Sequence, residues 1–230
     1  MIVILTGAGI SQESGIPTFR DSGGLWENYK IEDVATPNGF KKNPQLVHKF
    51  YNLRRAELLS GKIQPNLAHL ALAKLEQEYK EEVYLVTQNV DDLHERALSK
   101  NVVHMHGELL KSRCQNCNNI FIQKEDLSVD SICLDCGAKG SLRPHVVWFG
   151  EMPLFMDEIH EKLIKADIFV AIGTSGVVYP AAGFVRSTMA KRKIEINRED
   201  STVSEYFTQR LTGKATETVV AFVESLLSNK

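Results

Sequence analysis

The apolar positions of this chain come in short blocks separated by polar, helix-like stretches. IVILT (2–6), VYLVTQ (83–88) and ADIFVAIGTS (166–175) are too short for helices and too continuous for one-sided strands, so they read as buried strands. HVVWFG (145–150) and KIEIN (193–197) add two more strand-like segments. Residues 43–60 carry helical periodicity, with Leu46, Phe50, Leu53 and Leu58 on one side. Further helices are expected over 66–80, 155–165, 181–191 and 215–228. A shorter one over 91–98 has Asp91 and Asp92 in its first turn, where the helix dipole favours anions. Strands that alternate with helices imply a parallel sheet covered on both faces. The expected class is therefore α/β, a Rossmann-like, doubly wound parallel sheet.

Residues 108–144 break this rhythm. They hold all four cysteines, several Asn and Gly, and no long apolar period. The expected organisation is a main nucleotide-binding domain from 1–30, 80–107 and 145–230, a helical insertion over 31–79, and a small inserted metal-binding module over 108–144.

Composition narrows the function classes. A hydrophobic fraction of 43% and a charged fraction of 24% are ordinary for a folded protein. Formal net charge is 27 − 29 = −2, so no global field draws in nucleic acid or an anionic membrane. No window holds the roughly 20 apolar residues of a membrane span, and no basic run followed by an apolar stretch marks a signal peptide. The expectation is a cytoplasmic protein, a monomer by default, with no nucleic-acid or membrane partner. In the cytosol, cysteines are metal ligands more often than disulfides.

Cys114-x2-Cys117 and Cys133-x2-Cys136 are two knuckles, each presenting two thiolates to one side. Together they make the tetrahedral sulfur shell of a structural Zn2+, with no open position for catalysis. In this module Lys111, Arg113, Lys124, Lys139 and Arg143 are balanced by Glu108, Glu125, Asp126, Asp130 and Asp135, which argues against a phosphate-binding ribbon.

Ligands of open α/β sheets bind at the carboxyl ends of the strands. Gly7-Ala8-Gly9, Gln88-Asn89, Gly173-Thr174-Ser175 and Asn197 all fall at expected strand ends. Gly7-x-Gly9 suits the approach of backbone to a pyrophosphate, but Gln12 stands where a dehydrogenase fingerprint has its third glycine. The long segment SQESGIPTFRDSGG that follows is suited to covering a bound cofactor.

At this point the chain resembles the sirtuins. GAGIS-x2-SGIPTFR, TQNVD (87–91), HMHGE (104–108), RPHVVWFGE (143–151), GTS (173–175) and Asn197 occur in that family's order, with the cysteine pairs between the third and fourth. The resemblance runs from Gly7 to about Ala215. It implies an NAD-dependent protein-lysine deacylase acting on acylated-lysine proteins, with NAD consumed as co-substrate to give nicotinamide and 2′-O-acyl-ADP-ribose. It implies that Gly7, Ala8 and Gly9 hold the diphosphate, that Phe19 and Arg20 close over the nicotinamide side, and that Gln88, Asn89 and Asp91 contact the nicotinamide ribose and carboxamide. Gly173, Thr174, Ser175 and Asn197 then serve the phosphates and adenosine ribose, and Ala215 lies against the adenine. His106, immediately before a glycine, is the implied base, and an imidazole titrates in the range that role needs. Val147, Phe149 and Gly150 are implied to receive the peptide as an added strand, with Val146 and Trp148 in the core. FYNLRR resembles the sirtuin class that reads acidic acyl groups. Tyr51 and Arg54, three apart on one helix face, would grip a succinyl or malonyl carboxylate. Two rival functions share these features: a hydride-transferring oxidoreductase on the same sheet, and a zinc-ribbon interaction module.

Overall fold

The computed structural model describes residues 1–18 and 29–228. Its strands are β1 (Ile2–Thr6), β2 (Val83–Thr87), β3 (Val102–His104), β4 (Gly107–Cys114), β5 (Ile120–Ile122), β6 (Leu142–Val146), β7 (Ile168–Ile172), β8 (Arg192–Asn197) and β9 (Gln209–Thr212). Its α-helices are α1 (Ala8–Ser11), α2 (Ile31–Val34), α3 (Pro37–Lys42), α4 (Pro44–Leu59), α5 (Leu67–Glu78), α6 (Leu93–Arg96), α7 (Met156–Lys165), α8 (Phe184–Ser187) and α9 (Ala215–Ser228).

Six strands form one sheet in the order β3-β2-β1-β7-β8-β9, and every neighbouring pair is parallel. This is the doubly wound Rossmann order. The chain starts at the centre with β1, winds outward one way through β2 and β3, then returns to wind the other way from β7. Such a reversal leaves a crevice between the carboxyl ends of the two central strands, here β1 and β7. Both are buried along all five residues, as a strand covered on both faces must be. One face packs Ile2, Ile4, Val170 and Ile194 against Leu72 of α5 and Val219 of α9. The other packs Val3, Leu5 and Phe169 against Ile159 of α7 and Phe184 of α8.

A second, antiparallel sheet has the order β5-β4-β6. Its own apolar cluster is small, built on Cys114, Cys133, Leu127 and Leu142. A third core joins α2 to α4 with Leu109, Val146 and Trp148, and so ties the helical segment to the base of the inserted sheet. Helix α4 starts at a proline, and Asn43 Oδ1 accepts the Leu46 N–H at 3.0 Å, a cap worth about 1 kcal/mol.

Several elements differ from the sequence expectation. HVVWFG is not one strand: β6 ends at Val146. Beyond it the Val147 N–H bonds His106 O at 2.8 Å and the Phe149 N–H bonds Ala35 O at 3.0 Å, so both leave the ladder. The helix expected over 181–191 is a 3-10 turn (Ala181–Gly183) followed by α8. Thr188 stops it: its hydroxyl donates to Leu163 O at 2.8 Å and accepts the Ala190 N–H at 3.2 Å, competing with further helical bonds. Leu53 is 53% exposed; the buried side of α4 is Val47, Phe50, Tyr51, Arg55 and Leu58. α6 is a single turn, ended by Leu98 at φ 75°. β3 and β9 were hidden in sequence because one is three residues long and the other, QRLT, is a mostly polar edge strand. Among the described residues no helix is long and apolar enough to cross a membrane.

Candidate active site

β1, β2, β7 and β8 end at Thr6, Thr87, Ile172 and Asn197, so the four candidate clusters follow their strands directly or, for Asn197, end one. The two glycine turns touch. The Gly7 N–H donates to Ile172 O and the Gly9 N–H to Gly173 O, each at 2.9 Å. A Cβ on Gly9 would sit 2.7 Å from Gly173 Cα, and one on Gly173 (φ +61°) would sit 2.5 Å from Ile10 N. Only glycines let the two strand ends close to this distance, and the crevice floor is therefore bare backbone. That floor is the cradle a pyrophosphate requires. Ala8 begins α1 between the two glycines. Phe19 and Arg20 lie outside the described residues.

Beside this floor sits a buried polar cluster. Asn89 Nδ2 donates to Gly7 O at 3.2 Å and to Ser11 Oγ at 3.1 Å; Ser11 Oγ donates in turn to Asp91 Oδ2 at 3.1 Å. Asp91 Oδ1 accepts the Leu93 N–H at 3.1 Å. Burial pushes the Asp91 carboxyl up to about 6, against the pull of those two bonds and of nearby His104. Gln88 Nε2 reaches Thr174 Oγ1 at 3.1 Å across the crevice. Asn197 Nδ2 donates to Thr174 O at 2.7 Å, and the Ser175 carbonyl accepts the Thr202 N–H at 3.1 Å. Ala215, the first residue of α9, is buried against Ile194 and Ile196. Glu13 fixes that helix end by accepting from the Thr216 N–H and hydroxyl, both at 3.1 Å.

His106 lies on the turn between β3 and β4, half-buried. Its Nδ1 is 3.1 Å from Gln88 O. A carbonyl only accepts, so Nδ1 carries the hydrogen and Nε2 holds the free lone pair. Burial lowers the His106 pKa, only partly offset by the Gln88 carbonyl, and the ring is a neutral base near pH 7. Gly107 follows at φ +79°, where a Cβ would lie 2.1 Å from His145 O. The glycine after the histidine is thus a packing requirement.

The segment after β6 is held from beneath. Arg143 donates to both Glu151 oxygens, at 2.6 and 2.9 Å, and its guanidinium lies 3.3 Å from the centroid of the Trp148 ring. The Trp148 N–H bonds Glu151 at 2.8 Å and its Nε1 donates to Tyr51 Oη at 2.9 Å. Val147, Phe149 and Gly150 stand out from this clamp; Phe149 is 50% exposed. Arg143, Trp148 and Glu151 were visible only as letters of the RPHVVWFGE motif, with no signal for the clamp itself.

Tyr51 and Arg54 do share a side of α4. Burial pushes the Tyr51 phenol up, and with its oxygen accepting from Trp148 the hydroxyl proton is left for another acceptor. The Arg54 guanidinium stacks 3.4 Å from the Phe50 ring centroid and donates one Nη1 hydrogen to Phe50 O at 3.1 Å. Its buried Nε has no hydrogen-bond partner and it makes no salt bridge among the described residues. Burial lowers its pKa to about 10, and the group remains a cation. Arg55 faces the other way, toward Leu109 O and Glu125 O. A cleft of about 420 Å³ between α4 and residues 126–130 contains none of these groups.

The four cysteine sulfurs lie within 4.8 Å of one another, with Cys114–Cys136 and Cys117–Cys133 both 3.7 Å apart. A disulfide needs about 2.05 Å. Tetrahedral zinc at about 2.3 Å from each sulfur has edges of roughly 3.8 Å. The donor set fits zinc, and the same backbone feature shapes both knuckles. Each knuckle ends in a left-handed residue, Asn118 (φ 62°) and Gly137 (φ 71°), whose N–H returns to the first cysteine's carbonyl at 3.0 Å.

Fold and site together define an α/β protein of the nucleotide-binding topology, with a four-cysteine cluster that fits zinc and a half-buried histidine beside the crevice. A family model describing the Sir2 family matches residues 7–180. An NAD-dependent protein deacylase of Vibrio cholerae is 56% identical over 229 residues, 99% of this chain and 93% of that protein. One from Bdellovibrio bacteriovorus is 56% identical over 226 residues, 98% and 96% of the two chains. A mutant Sir2 homologue in complex with ADP-ribose superimposes with a TM-score of 0.91 at 41% identity, covering 99% of this chain and 92% of that one. A Sir2 homologue–NAD complex gives 0.87 at 41% identity, with 99% and 90% covered. The chain belongs to the Sir2 family.

Proposed function

We propose that this chain is an NAD-dependent protein-lysine deacylase that removes acetyl groups and, preferentially, succinyl and malonyl groups. One observation carries the reaction type: a neutral imidazole with a free Nε2, His106, is hydrogen-bonded to the strand end that also bears Asn89 and Asp91, beside the glycine floor of a Rossmann crevice. NAD supplies the electrophilic sugar and leaves as nicotinamide and 2′-O-acyl-ADP-ribose. The residues of the chain bind, orient and move a proton. Gly7, Ala8, Gly9, Gly173, Thr174, Ser175, Asn197 and Ala215 receive the diphosphate and adenosine half, and Gln88, Asn89 and Asp91 the nicotinamide half. His106 Nε2 takes the proton from the sugar hydroxyl. Val147, Phe149 and Gly150 pair with the backbone of an acylated-lysine protein. The four cysteines hold one structural zinc.

The acyl preference rests on Arg54. A guanidinium whose buried Nε is unpartnered and which, among the described residues, has no carboxylate bonded to it suits an anion, and the Tyr51 hydroxyl proton is available on the same side. Mass spectrometry of products from acetyl-, succinyl- and malonyl-lysine peptides with NAD tests both claims. Arg54→Met is expected to lose succinyl-peptide turnover by about 100-fold, the worth of a charge-assisted bidentate contact, and acetyl-peptide turnover by much less. Equal losses on both peptides would discard the preference but not the deacylase.

A further inference from the structure

The motif His104-Met105-His106 places a second histidine two residues before the proposed base, and the deacylase reading gives it no task. The two rings grip consecutive carbonyls. His106 Nδ1 is 3.1 Å from Gln88 O, and His104 Nδ1 is 3.2 Å from Asn89 O. The environments of the remaining nitrogens differ. His104 Nε2 meets a carboxylate oxygen of Glu95 at 2.7 Å. A neutral imidazole has one N–H, and His104 faces an acceptor at each nitrogen. Only the imidazolium satisfies both.

We propose that His104, held by Glu95 as a doubly donating imidazolium, is a positioning residue that sets the Gln88–Asp91 segment against the nicotinamide half of NAD. The inference rests on the deacylase reading for its ligand, but not for its geometry. β3 delivers His104 opposite Thr87, the last residue of β2, one step before the segment it holds. α6 delivers Glu95 from the other side.

Other charges around the ring agree. Burial favours the neutral form, yet the bond and charge of Glu95 outweigh it, with help from Glu108 on β4 and the Asn89 carbonyl, and the His104 pKa is raised. Asp91 and His94 also lie within its field. The cation eases ionisation of Asp91 and, together with burial and His69, keeps His94 neutral. Loss of the His104 charge would therefore cost one of its two hydrogen bonds, to Asn89 or to Glu95, and make Asp91 harder to ionise in one event.

Two measurements test this on the intact protein. Long-range 1H–15N NMR of the imidazole nitrogens at pH 7.5 is expected to show one ring protonated on both nitrogens, with that signature lost in Glu95→Gln, and a neutral ring with hydrogen on Nδ1 for His106. A neutral His104 at that pH overturns the proposal whether or not the protein is a deacylase. In steady-state kinetics, Glu95→Gln is expected to raise KM for NAD about tenfold, the worth of one charge-assisted hydrogen bond, with kcat within about twofold. The alkaline limb of kcat/KM for NAD should move to lower pH in that variant. An unchanged KM and limb would also overturn it. If wild-type protein releases no nicotinamide from NAD plus acyl-peptide, the deacylase reading fails instead, and the NMR result still decides the state of His104.

Discussion

At the scale of single residues, burial sets the protonation of the two titratable groups proposed to act. Burial depresses His106 and raises Asp91, so in the proposed roles both need a pH above their own titration, one as neutral base and one as anion. The Asp91 carboxyl must be ionised in that role. With its carboxyl near 6, activity with saturating peptide is expected to show an acidic limb in kcat/KM for NAD close to pH 6. An acid limb a unit or more lower would contradict the burial argument. The sign for stability is opposite. A carboxyl whose folded pKa lies above its usual 3.8 favours the fold most below that value, and the contribution fades as pH rises through about 6. Asp91→Asn stays uncharged, so above pH 6 it should melt at an equal or higher Tm while NAD turnover falls. A clearly lower Tm would show that the charge is better compensated than its neighbours suggest. His106→Tyr should cost about 100-fold or more in deacylation, the usual worth of a positioned base. It should leave NAD binding, read by calorimetry, within a few-fold.

At the scale of elements, the backbone around His106 admits little change. Gly107 combines a left-handed φ with contact to the β6 backbone. Adding a methyl group there costs about 1–2 kcal/mol for the conformation and roughly 1–3 kcal/mol for the overlap. Gly107→Ala is expected to lower the free energy of unfolding in urea by about 3 kcal/mol and to displace the turn that carries His106, with activity falling further than the folded fraction. Activity retained in full would show that the turn can shift without consequence. These elements also show what sequence can and cannot reveal. β1, β2 and β7 were legible because each is a bounded apolar run, buried on both faces. β9 and the unwound segment after Ser187 were not, because a polar edge strand has no apolar run and a threonine hydroxyl ends a helix only through its partner in α7. Leu53 is exposed against the helical periodicity of α4 because the inserted sheet, remote in sequence, decides which side is covered. Cys114, Cys117, Cys133 and Cys136 were legible from spacing alone. The Arg143–Trp148–Tyr51 stack was not, since no local rule brings residues 97 positions apart into a hydrogen bond.

At the scale of the whole molecule, the reversal of strand order opens a crevice between β1 and β7, and the inserted sheet is joined to the main sheet through the turn that carries His106. β4 departs directly from His106 and Gly107, and β6 returns at Val146 into the segment proposed to hold peptide. The Val147 N–H bonded to His106 O joins the two. The module's own cluster of Cys114, Leu127, Cys133 and Leu142 is too small to fold without a staple, and structural zinc in such knuckles supplies roughly 10 kcal/mol of apparent folding free energy. Metal and catalysis should therefore be linked although zinc touches no reacting atom. One zinc per chain is expected by elemental analysis. Removal by a chelator should abolish deacylation in step with zinc release, and proteolysis should then cut within residues 115–141 before the six-stranded sheet is touched. Far-UV dichroism should change little, because the helices packed on the main sheet owe nothing to the metal. Restored zinc should restore turnover if the sheet stays folded throughout. Full activity in zinc-free protein would show that β4 and β6 hold the catalytic turn unaided, and the module would then lose its place in the site.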